Sequence, residues 1–173
     1  HEMGHAVVAA ALPNTDTVHK VTIVPRGSMG GYTRLLPTED RYLWTQNQFR
    51  DTLAWALGGR VAEEIMFGDV TTGASNDIER ASQIARRMVT ERLGPVAFGK
   101  REEMVFLGRE IAEQRNYSEE VAREIDKEVS DLIEEAYERA RKLLLANRTL
   151  LVESSDRLKE VETLEGEELQ GLL

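Results

Sequence analysis

The first five residues, His1-Glu2-Met3-Gly4-His5, form an H-E-x-x-H sequence that runs directly into the apolar stretch Ala6-Val7-Val8-Ala9-Ala10-Ala11-Leu12. In a helix, His1 and His5 sit one turn apart on one face, where both imidazoles can reach one metal ion. Glu2 is then placed beside that metal. The apolar stretch is hydrophobic enough to bury the same helix. The residue types match a known chemistry: Zn²⁺ with three protein ligands keeps a fourth position open for water and lowers that water's pKa from about 15.7 towards about 7. A neighbouring carboxylate completes the activation and later passes the proton to a leaving amine. The plain alternative is an exposed helix start. Against it, two of the chain's three histidines lie in this motif.

A length of 173 residues fits one domain with a real core. There is no cysteine, so thiolate metal sites and disulfides are excluded. No apolar run reaches membrane-spanning length and no signal peptide is visible. The net charge of −9 is uneven. Residues 1–100 carry 11 basic and 11 acidic side chains, and residues 101–173 carry 11 and 20. No basic patch points to nucleic acid. The acidic half reads as solvated helix faces. A metal ligand on a frayed terminus would lack support, so the chain is expected to be a fragment with further sequence before His1.

The first helix should end near Leu12, before Pro13-Asn14. Gly4 inside it either permits close packing near the metal or is incidental. His19-Lys20-Val21-Thr22-Ile23-Val24 reads as a strand, Arg26 to Gly31 as a turn, and Tyr32-Thr33-Arg34-Leu35-Leu36 as a second strand. The two can pair as a hairpin. Its edge, with Gly31, Tyr32, Thr33 and Arg34, is a candidate to bind substrate as an added strand; a purely structural hairpin fits as well. A helix from Thr45 carries Phe49, Leu53, Ala56 and Leu57, is interrupted at Gly58-Gly59, and continues through Arg60 to Phe67, with Gly68 as its stop. After the loop Asp69 to Ala74, Ser75 or Asn76 caps a helix from Asp77 to about Glu91. Residues 92–117 are punctuated by Gly94-Pro95, Gly99 and Gly108. Ser118 caps a long helix whose apolar stripe runs from Val121 to Leu144. A short helix over about 149–159 follows. Thr163 to Leu169 reads as a capped last helical turn.

Two histidines do not make a tight zinc site, and the third ligand sorts the zinc-protease classes. The extended form H-E-x-x-H-x-x-G-x-x-H is excluded, because Val8 and Ala11 stand where Gly and His are needed. His19 opens a strand and reads as a surface residue. Carboxylates remain. Glu63 and Glu64 lie on a downstream helix, where Glu64 can equally pair with Arg60. Asp77 lies in the first turn of its helix, where the dipole favours the ionised form that a ligand needs. The residue chemistry leaves these options even.

Several stretches together resemble one family. His1 to Ala6, Lys20-Val21-Thr22-Ile23-Val24-Pro25-Arg26-Gly27, Gly58-Gly59-Arg60-Val61-Ala62-Glu63-Glu64 and Thr71-Thr72-Gly73-Ala74-Ser75-Asn76-Asp77 are similar, in this order, to the peptidase domain of FtsH-type AAA+ metalloproteases. The likeness continues through Phe106-Leu107-Gly108 and the helix after Ser118. It implies a mainly α-helical zinc endopeptidase domain with a small β-hairpin or sheet near the active site. By the family's pattern His1, His5 and Asp77 bind Zn²⁺ and Glu2 is the general base, which favours Asp77 over Glu63 and Glu64.

The resemblance further implies polypeptide substrates, a homo-hexamer, an ATP-driven module upstream, and a membrane anchor further upstream. The protease would face the cytoplasm, or the matrix or stroma of an organelle. The expected organisation is a single peptidase domain over 1–173, with a zinc-site half (1–91), an irregular connection (92–117) and a helical C-terminal half (118–173). Two departures stand out. Met3 replaces the family's usual alanine at a position that is not a ligand. Thr90-Glu91 runs straight into Arg92-Leu93, where the family carries a short connection, so either the loop is shorter or residues are missing from the sequence. The alternative from another class is a non-catalytic helical oligomerisation scaffold with a structural or empty metal site. Glu2 between the histidines argues against it, since a structural site has no use for that carboxylate.

Overall fold

A computed structural model describes residues 1–25, 27, 30–37, 44–92 and 118–173. The expectations placed on 93–117, including Phe106-Leu107-Gly108, lie outside the described residues, as does part of the turn before Gly31. The described chain is mainly helical with one small sheet, as the motifs imply.

Helix α1 (Glu2–Ala11) is the central element, with Met3 to Ala9 all buried. Its apolar run meets helices α2 (Gln46–Ala56), α3 (Gly58–Phe67) and α5 (Glu119–Ala146) and strand β1 (Thr17–Thr22). The approach to α3 is very close. A Cβ on Gly4 would lie 2.5 Å from both Ala62 Cβ and the Gly58 carbonyl, and one on Gly58 would lie 2.9 Å from the Gly4 carbonyl. Glycines facing each other at this crossing let the two backbones touch, so Gly4 has a packing role.

Helix α2 starts where the residues signal it. Thr45 accepts from the Gln48 amide while the Gln48 side chain accepts from the Thr45 amide, a capping box. The break expected at the glycine pair falls at Leu57, which ends α2 and precedes α3. Gly68 closes α3 in the left-handed conformation (φ 69°). A 3₁₀ turn, Thr72–Ala74, leads into α4 (Ser75–Arg92). Thr71 caps this 3₁₀ turn, and α4 already begins at Ser75, so the expected caps Ser75 and Asn76 lie inside its first turn. The α4 backbone continues through Arg92 without interruption.

Strand β1 pairs antiparallel with β2 (Tyr32–Leu36), the expected hairpin, with a register shift between Val18 and Lys20 at exposed His19. The first strand is shifted from the expected 19–24, because beyond Thr22 the Ile23 amide bonds the Glu162 carbonyl instead of the hairpin partner. A third strand was not expected. Thr163–Glu165 (β3) pairs with β1, giving the order β2-β1-β3, and only then does helix α7 (Gly166–Leu172) begin. The stretch that read as a helical turn is therefore half strand.

Helix α5 buries Ile125, Val129, Leu132, Ala136, Ala140 and Leu144 along the expected stripe, capped by Ser118. Helix α6 (Arg148–Val161) returns beside it and packs on α1. Buried Asp51 of α2 ties three segments together. It accepts from the Asn14 amide and side chain and pairs with Arg139 of α5 at 2.7 Å.

Candidate metal centre

His1 sits at the N-cap of α1 and His5 one turn in, and their rings stand edge to face with centroids 5.0 Å apart. Each ring is fixed through Nδ1. His1 Nδ1 lies 2.7 Å from Glu63 Oε1 on α3, and His5 Nδ1 lies 2.8 Å from the Trp55 carbonyl on α2. A carbonyl and a carboxylate only accept, so both Nδ1 atoms carry the proton. The Gly59 amide, 3.3 Å from His5 Nδ1, is then a close neighbour and not a hydrogen-bond donor to it.

In the neutral imidazoles this leaves both Nε2 atoms bare, and both face Asp77. Asp77 Oδ2 lies 3.3 Å from His5 Nε2 and 3.6 Å from His1 Nε2. It is buried and has no hydrogen-bond partner among the described residues. One ligand atom from each residue fits within a 4.8 Å cluster, the only such group of three among the described residues. Three lone-pair donors thus converge with no proton between them. Such an arrangement is costly unless a cation sits at the focus. Two imidazoles and one carboxylate suit zinc, with a coordination position to spare.

Space at the focus is kept by Gly59. A Cβ there would lie 2.5 Å from His5 Nε2 and 2.7 Å from His1 Nε2. Any other residue at this position would push into the imidazole edges that face Asp77. Helix α4 brings Asp77 to the cluster from its first turn.

Glu63 and Glu64 part company here. Glu63 is buried behind His1, where its carboxylate also accepts from the Thr71 amide at 2.7 Å and the Thr71 hydroxyl at 3.2 Å. Glu64 points away, accepting from the Tyr137 hydroxyl of α5 at 2.7 Å. Neither belongs to the converging cluster.

Glu2 lies beside the histidines. Burial raises its pKa, and the Thr33 hydrogen bond partly opposes that shift. Met3 is fully buried in the core and takes no part in the cluster. A cleft of about 1060 Å³ opens over the site, with Glu2, Tyr32 and Thr33 on one side and Met66, Phe67 and Leu151 among its apolar lining. Of the candidate edge residues, Gly31, Tyr32 and Thr33 line this cleft, Gly31 also packing against Glu2, and exposed Arg34 borders a second cleft of about 400 Å³. β2 has no strand partner on its outer side among the described residues.

The family model for Peptidase family M41 matches residues 1–172. The chain belongs to peptidase family M41. Three relatives illustrate the match, one called ATP-dependent zinc metalloprotease FtsH 1 and two called ATP-dependent zinc metalloprotease FtsH. That of Thermomicrobium roseum is 59% identical over 99% of this chain and 27% of its own length. The Chloroflexus aggregans protein is 57% identical over 100% and 28%, and the Thermotoga maritima protein 52% over 100% and 29%. The chain thus spans under a third of each of these relatives.

Residue patterns alone did not single out two neighbours of this cluster. Trp55 contributes through its main-chain oxygen, which no side-chain motif reveals. Arg80 stacks on the Trp55 ring, 4.3 Å from its centroid, one turn beyond Asp77. Burial lowers the Arg80 pKa while Asp77 opposes that shift. Its only advance signal was a position three residues after a candidate ligand.

Proposed function

We propose that this chain is the zinc-dependent proteolytic domain of an ATP-dependent protease. The observation that carries the reading is the convergence of two bare imidazole nitrogens and an unpartnered buried carboxylate oxygen, with Glu2 alongside. His1, His5 and Asp77 would hold the ion, and Glu63 and the Trp55 carbonyl would fix the two imidazoles. When bound, zinc supplies the Lewis acidity that makes water a nucleophile at neutral pH and polarises a carbonyl.

The chain's own residues do the rest. Glu2 accepts a proton from the attacking water and delivers a proton to the amine nitrogen as the C–N bond breaks, which regenerates the carboxylate. Its desolvated setting favours the protonated form, which suits the return step. The apolar cleft lining shields the reaction from bulk water, and the outer edge of β2 offers main-chain groups to an extended peptide.

The wider reading covers the whole protein. Residues 1–173 form a single peptidase domain. The longer protein carries an ATPase module and a membrane anchor, assembles as a homo-hexamer, and degrades unfolded polypeptides on the cytoplasmic, matrix or stromal side. The relatives' names and the fraction of their length matched here support it. No described helix is long and apolar enough to cross a membrane, so an anchor would lie outside the described residues.

Replacing Glu2 by Gln tests the mechanism. Zinc should remain at one per chain while casein cleavage falls by at least about 100-fold, since the ligands stay and the base is gone. Undiminished cleavage by that variant would sink the assignment.

A further inference from the structure

Strand β2 and the start of α1 meet at Glu2. The Thr33 hydroxyl lies 2.8 Å from the Glu2 main-chain oxygen and 2.9 Å from Glu2 Oε2. From the same segment, Gly31 closes on the side chain. A Cβ on Gly31 would lie 3.1 Å from both Cγ and Oε1 of Glu2, and 2.6 Å from the Thr22 carbonyl. The Glu2 side chain is therefore confined by a hydroxyl and by bare backbone of one strand region. Thr33, part of the candidate substrate edge, turns its hydroxyl to Glu2.

A threonine hydroxyl has one proton and two lone pairs. While Glu2 is a carboxylate, that proton serves the two acceptors, Oε2 and the main-chain oxygen. Once the other oxygen, Oε1, has taken a proton, Oε2 remains an acceptor for the Thr33 hydroxyl. Both contacts can thus persist through each state of a base that gains and returns a proton. A valine has the same shape and could make neither bond.

We propose that Thr33 is a positioning residue for Glu2: its hydroxyl holds Oε2, so that Oε1 is the oxygen presented to water. The proposal rests on Glu2 being the base. It also means that the strand bordering the cleft and the proton-transferring group are one mechanical unit.

The test uses Thr33→Val and Thr33→Ser in the zinc-loaded protein, with a fluorogenic peptide and metal analysis. Thr33→Val should lower kcat by about 10- to 100-fold and leave KM within about twofold, because a carboxylate out of line loses rate and not affinity. Zinc should stay at one per chain. Thr33→Ser, which keeps the hydroxyl, should recover most of the rate. In a Glu2→Gln background, Thr33→Val should change the residual rate little, since residues acting through one another are not additive. If circular dichroism shows that the valine variant is unfolded, Thr33→Ala is read in its place. Unchanged kcat, a raised KM at constant kcat, or failure of serine to restore the rate each overturns the proposal. If Glu2→Gln keeps full activity, the base assignment itself fails. If Glu2→Gln is inactive and Thr33→Val is normal, only the positioning role fails.

Discussion

The surroundings of His1, His5 and Asp77 differ in kind from the helices of residues 118–173. In the first region, backbones touch through Gly4 and Gly58, Gly59 lies against the imidazoles, and buried polar groups are placed one by one. In the second, a stripe of Ile125, Leu132, Ala140 and Leu144 fills a hydrophobic interface, and charges such as Arg157 with Glu160 and Glu168 stay at the surface. Hydrophobic packing is graded and tolerates small errors. A site built on close approach tolerates almost none, because one methyl group lands on a functional atom.

The sharpest break in that comparison is one added carbon. Gly59→Ala would put a Cβ 2.5 Å from His5 Nε2. On the proposed ligand set, zinc content should drop as sharply as in Asp77→Ala, to near background by metal analysis. A Gly59→Ala protein with one zinc per chain would mean that the imidazoles have room to give, and the contrast between the regions would weaken.

The next effect belongs to the other region. Leu144 is fully buried between α5 and its neighbours, and Leu144→Ala should cost about 2–5 kcal/mol in denaturant unfolding. Zinc stoichiometry should not change below the lowered melting temperature. Loss of zinc from the folded variant would show that the C-terminal helices shape the site directly.

How legible these regions were follows from how local their signals are. The helix start at Thr45, the cap at Ser118, the strand Tyr32–Leu36 and the stripe of α5 depend on neighbours a few residues away, and all were visible in the sequence. β3 was not. Its pairing joins Thr163 to Thr22, and the Thr22 hydroxyl bonds the Glu162 carbonyl, across most of the chain. Capping-like acidic residues there masked a three-residue strand. Glu63 was flagged as a possible ligand on the strength of its helix alone. Which side of the His1 ring it would meet depends on how α1 and α3 cross, and the glycines that set this crossing announce only that it is close.

A smaller effect tests the support behind His1. Glu63→Gln keeps the shape but gives up the charge that accepts from His1 Nδ1. Zinc affinity should fall by about 10- to 100-fold, the usual cost of losing a partner behind a metal-bound histidine. Glu64→Gln should leave it unchanged, since Glu64 faces Tyr137. Competition with a chelator reads both. Equal losses would show that the two carboxylates are not separated as their contacts indicate.

The smallest effect lies at the seam between the regions. Tyr137 of α5 donates to Glu64 of α3 at 2.7 Å, a polar tie between the two helices. Tyr137→Phe removes only the hydroxyl and should cost about 0.5–1.5 kcal/mol, the net worth of one hydrogen bond. Burial, reinforced by Glu64, raises the Tyr137 pKa in the folded chain. The folded state therefore holds the phenolic proton more tightly than the unfolded chain does. The tie should contribute fully below the usual tyrosine range and fade as pH climbs through about 10 and above, where the unfolded chain ionises first. Parent and variant stabilities should converge there. A gap that stays constant with pH would mean that the hydroxyl acts by packing alone, and Tyr137 would then join α5 to α3 without a polar tie.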